Sequence, residues 1–280
     1  MSSASIRALG RVAAAARRSG LGVLLRLVRD GADRLLLALG RPPLRVTVDG
    51  IELRGFLRHR SFLDHLGRGA YEPFARSLFL DALGRADLVL DVGAHVGYYT
   101  LLAADTRPEA RIVAVEADPY NAAALAANVR RSGAHVEVVG KAASDTSGRV
   151  VFHQNLGTVG SSLVRRPGTG PTREVEVDAT TVDALAGEGP LGAVLAKIDV
   201  EGAERSVVRG MRETISRAAA VTALVEVNPR ALAETGALPS DLVSDLAALG
   251  LEVSYVDEDA AALVPAERAG KGNLFCRKRS

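Results

Sequence analysis

Several things are scarce in this chain, and each scarcity narrows what it can be. One cysteine, Cys276, stands in 280 residues. That excludes a disulfide framework and a cysteine-based metal site, and it fits a reducing compartment, so a cytoplasmic location is expected. Tryptophan is absent and aromatics are only 4%, too sparse for a base-stacking surface. No apolar run reaches the roughly 18 residues of a membrane-spanning helix. No His/Asp/Glu spacing resembles a dedicated metal site, so none is expected, though carboxylates from separate strands could still recruit a metal. The formal net charge is +2, but the first 40 residues hold seven arginines against two aspartates. The remainder is therefore mildly acidic, which argues against nucleic acid as the main partner.

What is present is an ordinary globular balance, 48% hydrophobic and 24% charged, in a chain long enough for one large domain with an appendage. Residues 1–40 read as a basic amphipathic helical segment, with arginines among the leucines of VLLRLVRDGADRLLLAL. Two readings stay open for it: a membrane-surface or targeting helix, and a helix packed on the body with its arginines in water. Residues 41–84 read as a hairpin, RVTVDGIEL turning at Asp49-Gly50, followed by a helix over 72–83. From 85 to 280, strands and helices alternate. RIVAVEA, HVEVVGKA, VLAKIDV and VTALVEVN are strands with helical sequence between them, which predicts a mostly parallel sheet covered by helices on both faces. GRVVFHQN and REVEVDATT break the rhythm as strands flanking a loop, 155–172, rich in Gly, Ser, Thr and Pro. Its composition and position suggest a lid over an acceptor site.

The chemistry centres on LVLDVGAHVGYYT, residues 88–100. A continuous apolar run ending in a carboxylate is a strand buried on both faces, and a glycine turn follows. The turn is not a dinucleotide fingerprint: two residues after Gly93 stands His95, and the third glycine is missing. Nor is it a phosphate loop, since no Gly-Lys-Ser/Thr follows. What remains is D-x-G-x-x-x-G, with Asp91, Gly93 and Gly97, suited to an amino-acid moiety over the backbone. The next strand ends in VEADP, where Glu116 is placed to accept both hydroxyls of a ribose. Alternatively, Glu116 and Asp118 merely cap the next helix. A ligand with a ribose and an amino acid but no phosphate is S-adenosylmethionine. Asp145, in KAASD after the third strand, is a candidate for the adenine amino group, or an ordinary turn acid.

DVGAHVGYYTLLAA, VEADPYNAAALAANV, KAASDTSGRVVF and above all AKIDVEGAERSVVRGM resemble the FkbM-type S-adenosylmethionine-dependent methyltransferases, over about residues 71–226 plus a final strand near 272–276. The resemblance implies an α/β, Rossmann-like class I methyltransferase fold with a mostly parallel seven-stranded sheet. It also implies methyl transfer, most often to an oxygen. His95 stands where that family more often has asparagine, which leaves the role of this side chain open.

In KIDVEGAE, Lys197 and Asp199 point to one side of a strand end. Asp199 is placed to position the methionine part or the acceptor hydroxyl, with Glu201 a second candidate and Glu204 a helix-opening acid. A buried Lys197 needs a carboxylate partner. His95 is a candidate base or a supporting hydrogen-bond group, His153 a surface histidine, and Glu226 a residue of the acceptor pocket or a loop cap. The expected catalytic set is Asp199, Glu201 and His95, acting on a small-molecule acceptor. N-methyl transfer, or a scaffold that keeps the fold without catalysis, stays open, as does the oligomeric state.

Overall fold

A computed structural model of the chain describes residues 20–69, 71–155, 161–163 and 172–278, with side chains from residue 28 onward. Most of the arginine-rich start and most of the 155–172 loop, with its suggested lid, lie outside the described residues.

The amino-terminal part runs α1 (Gly20–Ala38), β1 (Leu44–Val48), β2 (Ile51–Gly55), a 3-10 turn at Leu57–His59, α2 (Arg60–Leu66) and α3 (Pro73–Leu83). β1 and β2 pair antiparallel across Asp49 and Gly50, at φ 51° and 81°, the positive values that a two-residue hairpin turn of primed type requires. Then follow β3 (Leu88–Val92), α4 (Tyr98–Thr106), β4 (Arg111–Val115), α5 (Pro119–Ser132), β5 (Val136–Val139), β6 (Ala142–Ala143), β7 (Gly148–Asn155) and β8 (Thr172–Thr180). The last part is α6 (Val182–Ala186), β9 (Leu191–Ile198), α7 (Glu204–Arg209), α8 (Arg212–Arg217), β10 (Ala218–Val227), α9 (Pro229–Ala233), α10 (Pro239–Ala248), β11 (Leu251–Asp257), β12 (Ala262–Pro265) and β13 (Gly272–Lys278).

The main sheet has the order β12-β11-β13-β10-β9-β3-β4-β5. From β10 to β5 all neighbours are parallel, and β13 lies antiparallel between β10 and β11. Seven strands were expected; the eighth, β12, pairs antiparallel with β11 at the far edge. Four residues ending in proline, ALVP, are too few for periodicity to reveal. All five residues of β3 are buried, as a central parallel strand covered on both faces must be. One apolar cluster lies on each face. The first joins α3, α4 and α5 to the hairpin, and the second holds α6 through α10.

β6, β8 and β7 make a separate small sheet, so the two strands that broke the alternation do flank the loop as read. The main chain leaves β3 toward β4 on one side and returns as β9 on the other, which makes the carboxyl ends of β3 and β9 the switch point where open α/β sheets bind ligands.

Candidate active site

At that switch point lies a cavity of about 510 Å³. Asp91, Gly93, His95, Glu116, Asp199 and Glu201 all line it, with Lys197, Glu226 and Asn273. The register explains this gathering. Asp91 is directly opposite Lys197 across β3 and β9, and Glu226 is opposite Asn273 across β10 and β13. Adjacent strand ends therefore present their polar side chains side by side.

Lys197 is buried and carries its charge among acids. Its Nζ lies 3.5 Å from Asp199 Oδ2 and donates to Asn273 Oδ1 at 3.3 Å. Burial disfavours the ammonium, but Asp199, Glu72, Glu226 and Asp91 outweigh that and hold its pKa above the ordinary value. Asp199 shows the reverse balance. Burial opposes its ionisation, yet Lys197 and a hydrogen bond from Glu226 keep its pKa below the usual carboxylate value. Glu226 is pushed well above that value by burial and by the neighbouring Asp199 and Glu201. The two carboxyls thus form one proton-sharing pair, with the proton on Glu226 and the charge on Asp199. Asp91, buried at the end of β3, accepts a short hydrogen bond from the Thr100 hydroxyl. Burial raises its pKa to about 6, against the pull of Thr100 and Lys197.

Glu116 closes the other end of the cavity. Its two oxygens accept from the backbone N–H groups of His95 and Asp118, each at 2.8 Å. Burial, reinforced by Asp118, lifts its pKa to about 8. Asp118 caps α5 by accepting from Tyr120 N–H at 2.9 Å, so of the two acids after β4 one caps the helix and the other faces the cavity. Ser161 and Ser162, from the 155–172 loop, donate to Asp118 Oδ2 and to the carbonyl of Glu201 at 2.9 and 2.8 Å. They bridge the ends of β4 and β9.

The glycines of the turn have a cause within the fold. Gly93 has φ +83°, and a Cβ there would collide with the carbonyl oxygen of Asp199; at Gly97, φ +95°, it would meet Leu125 Cδ1 at 2.7 Å. Close packing of β3 on β9 and α5 therefore requires both. Of the two, only Gly93 reaches the cavity wall.

Asp145 does not join the group. It is exposed, pairs with Arg209 at 3.0 Å and is absent from the cavity wall, which Lys141, Ala142 and Ala143 supply instead. Glu204 folds back to accept from Gly202 N–H at 3.0 Å, shaping the turn after β9. His153 also stays off the wall; its backbone pairs with Ser162. His95 sits at φ +53° with its ring edge-on to Phe62, centroids 4.3 Å apart.

Three cavity groups gave little signal in sequence. Tyr71 and Glu72 precede α3; Glu72 accepts from Tyr99 Oη at 3.2 Å and Asn273 Nδ2 at 2.9 Å. Asn121, on the first turn of α5, lines the cavity beside Glu116. Of the few aromatics in the chain, Phe62, Tyr71, Tyr98, Tyr99 and Phe152 all face this cavity. Among the described residues no cluster of His, Cys, Asp and Glu is arranged to hold a metal ion.

The cavity fits S-adenosylmethionine. A buried carboxylate at the end of β4 is available for ribose hydroxyls, alanines and Phe152 offer an apolar face, and acids surround the region where a sulfonium and an ammonium would lie. Fold and cavity define a Rossmann-like methyltransferase that uses this cofactor. The chain belongs to the FkbM methyltransferase family, whose family model, described as a methyltransferase FkbM domain, matches residues 91–253. The 31-O-demethyl-FK506 methyltransferase FkbM of Streptomyces tacrolimicus is 29% identical over 188 residues, 53% of this chain and 72% of that protein. Solved structures with a distant likeness include a SAM-dependent methyltransferase from Agrobacterium tumefaciens, 9% identical, spanning 84% of this chain and 70% of that one, with a TM-score of 0.43. Another is the 16S rRNA N2 G1207 methyltransferase of T. thermophilus, 17% identical, spanning 84% and 50%, with a TM-score of 0.39.

Proposed function

We propose that this protein methylates a hydroxyl group on a small molecule, a sugar or a natural-product intermediate. The observation that carries this reading is the Asp199–Glu226 pair beside charged Lys197 on the cavity wall. An amine acceptor needs only to lose its proton to water before attack, whereas a hydroxyl gains from a base held in its charged form within the site. The name of the Streptomyces relative, an O-demethyl-FK506 methyltransferase, supports the same choice. The mildly acidic body favours a small acceptor over nucleic acid.

S-adenosylmethionine supplies a methyl group already activated on a cationic sulfur. Glu116 would hold the ribose, and Asp91 the amino end. Asp199 accepts the proton of the acceptor hydroxyl as its oxygen loses it. Lys197 keeps Asp199 ionised until then, and Glu226 steadies the resulting charge arrangement by its hydrogen bond. Tyr71, Tyr99 and Phe62 exclude water. Glu201 and His95, on the cavity wall, would act as positioning groups for the acceptor. The single, free thiol of Cys276 supports a cytoplasmic location.

No helix among the described residues is long and apolar enough to cross a membrane. On α1, Asp33 is buried against the body, accepting from Leu57 N–H at 2.8 Å and Arg58 N–H at 3.1 Å. Val28 and Leu35 on this helix, and Leu39 just after it, stay exposed, which supports peripheral membrane contact through the 1–40 segment.

The test is incubation with methyl-labelled S-adenosylmethionine and a panel of hydroxyl acceptors, with products read by mass and by acid stability. A methyl ether should form, and Asp199→Asn should lower turnover by roughly 10²–10⁴-fold. Label recovered on nitrogen, or full turnover in Asp199→Asn, would contradict the proposal.

A further inference from the structure

The part of the chain before the family-matched region does more than flank the core. Helix α5 carries two buried asparagines seven residues apart, Asn121 and Asn128, on its inner face, and both bind the amino-terminal part. Asn128 accepts from Arg54 N–H and donates to Arg54 carbonyl, each at 2.9 Å, and donates to the Val96 carbonyl at 2.8 Å. It welds β2 to the turn after β3. Asn121 meets His59, which is fully buried.

The protonation of His59 is fixed by its surroundings. Nδ1 lies 3.0 Å from the Phe56 backbone N–H, which can only donate, so Nδ1 accepts. The ring proton is therefore on Nε2, 2.9 Å from Asn121 Oδ1. With its oxygen taken by that N–H, the Asn121 amide has its NH₂ group free for the cavity wall that it shares with Glu116, and it pulls the Glu116 pKa down against burial. The supporting scaffold is rigid. Arg58 stacks on Tyr120 at 3.7 Å and faces Asp33 at 3.6 Å, all on the same buried seam.

We infer that His59 is a positioning residue for the cofactor's ribose site, setting the orientation of Asn121 and through it the carboxylate of Glu116. An unfixed Asn121 could rotate and present its oxygen to Glu116, which in the ionised form that holds a ribose would place two acceptors face to face. Ligand-site groups commonly depend on such outer hydrogen bonds. The inference rests on the methyltransferase reading and adds to it that residues 54–59 complete the cofactor site. Burial also holds His59 neutral, with its pKa lowered to about 4, so the ring keeps its single proton above pH 5.

Two substitutions separate positioning from packing. Asparagine at 59 can imitate Nδ1 and keep the Phe56 bond but cannot reach Asn121; glutamine can imitate Nε2 and keep the Asn121 bond. Titration of the full chain with S-adenosylhomocysteine should show affinity weakened about fivefold or more in His59→Asn and within about twofold of wild type in His59→Gln. On an Asn121→Ala background, His59→Asn should cost nothing further, the non-additivity of groups acting as a unit. Equal losses in both variants, loss only in His59→Gln, or additive losses would overturn the inference. An independent reading uses wild type. Histidine ¹⁵N spectra should show His59 as the Nε2–H form, with its signal shifting on S-adenosylhomocysteine addition. The Nδ1–H form, or a signal indifferent to the ligand, would overturn it. A wild type that binds no S-adenosylhomocysteine at all would instead remove the methyltransferase reading itself.

Discussion

Lys197→Met is the sharpest perturbation of the site. The side chain is only 2% exposed, and methionine fills nearly the same space, so the change removes charge rather than volume. It leaves Asp91, Asp199, Glu72 and Glu226 facing one another without their cation. Breaking a buried ion pair from one side costs about 3–5 kcal/mol, which for a chain of this size lowers Tm by roughly 5–9 °C. The pH dependence carries the sign. In wild type, Asp199 has a lowered pKa, so its contribution is present above the unfolded value of 3.8 and is lost as pH falls below it. Without Lys197 the burial that opposes its ionisation is uncompensated, and its folded pKa rises. An acid with a raised folded pKa loses stability as pH rises. The variant's deficit should therefore be largest near pH 8 and shrink toward pH 5. Thermal unfolding followed by circular dichroism at pH 5, 6.5 and 8 measures it. A deficit under about 1 kcal/mol, or one that grows toward pH 5, would refute the reasoning.

Glu116, with its pKa lifted to about 8, must be ionised to accept ribose hydroxyls. The ionised fraction of such a group climbs from about a tenth at pH 7 to about nine-tenths at pH 9. The Kd for S-adenosylhomocysteine should therefore tighten about tenfold over that range, a slope that Glu116→Gln removes. By the same sign rule Glu116 lowers the stability of the unliganded protein as pH rises from 4.5 to 8, and calorimetric melts with and without ligand should diverge over that window. Gly93→Ala puts a Cβ into the Asp199 carbonyl and should destabilise by more than about 3 kcal/mol. Gly50→Ala, with φ +81° but open space around it, should cost only about 1 kcal/mol; equal melting temperatures for the two would contradict the packing argument.

The fold was readable wherever burial writes itself into composition. Leu88–Leu90 is apolar along its length because both faces are covered, and Asp49-Gly50 announces a hairpin because few residues tolerate positive φ. The strand-end acids Asp91, Glu116 and Asp199 were legible because strand, turn and helix follow each other locally. Asp145 misled because the chain after β5 turns it toward Arg209 on α7, and that partner lies 64 residues away. Glu72 and Asn273 gave little signal as cavity groups for the same reason: they meet only through sheet closure, across 201 residues. The glycines of the turn were read as room for a ligand; in the structure a Cβ at Gly93 or Gly97 would also meet Asp199 or Leu125, and Gly93 reaches the cavity wall. A sequence tells that a Cβ is absent, not what occupies its place.

Calorimetric titration with S-adenosylhomocysteine, on wild type and on Glu116→Ala, tests the central claim most directly. The account predicts saturable one-site binding to wild type, weakened at least about tenfold in the variant, or about 1.4 kcal/mol. A folded wild-type protein that shows no binding, or a variant that binds as tightly as wild type, would contradict it.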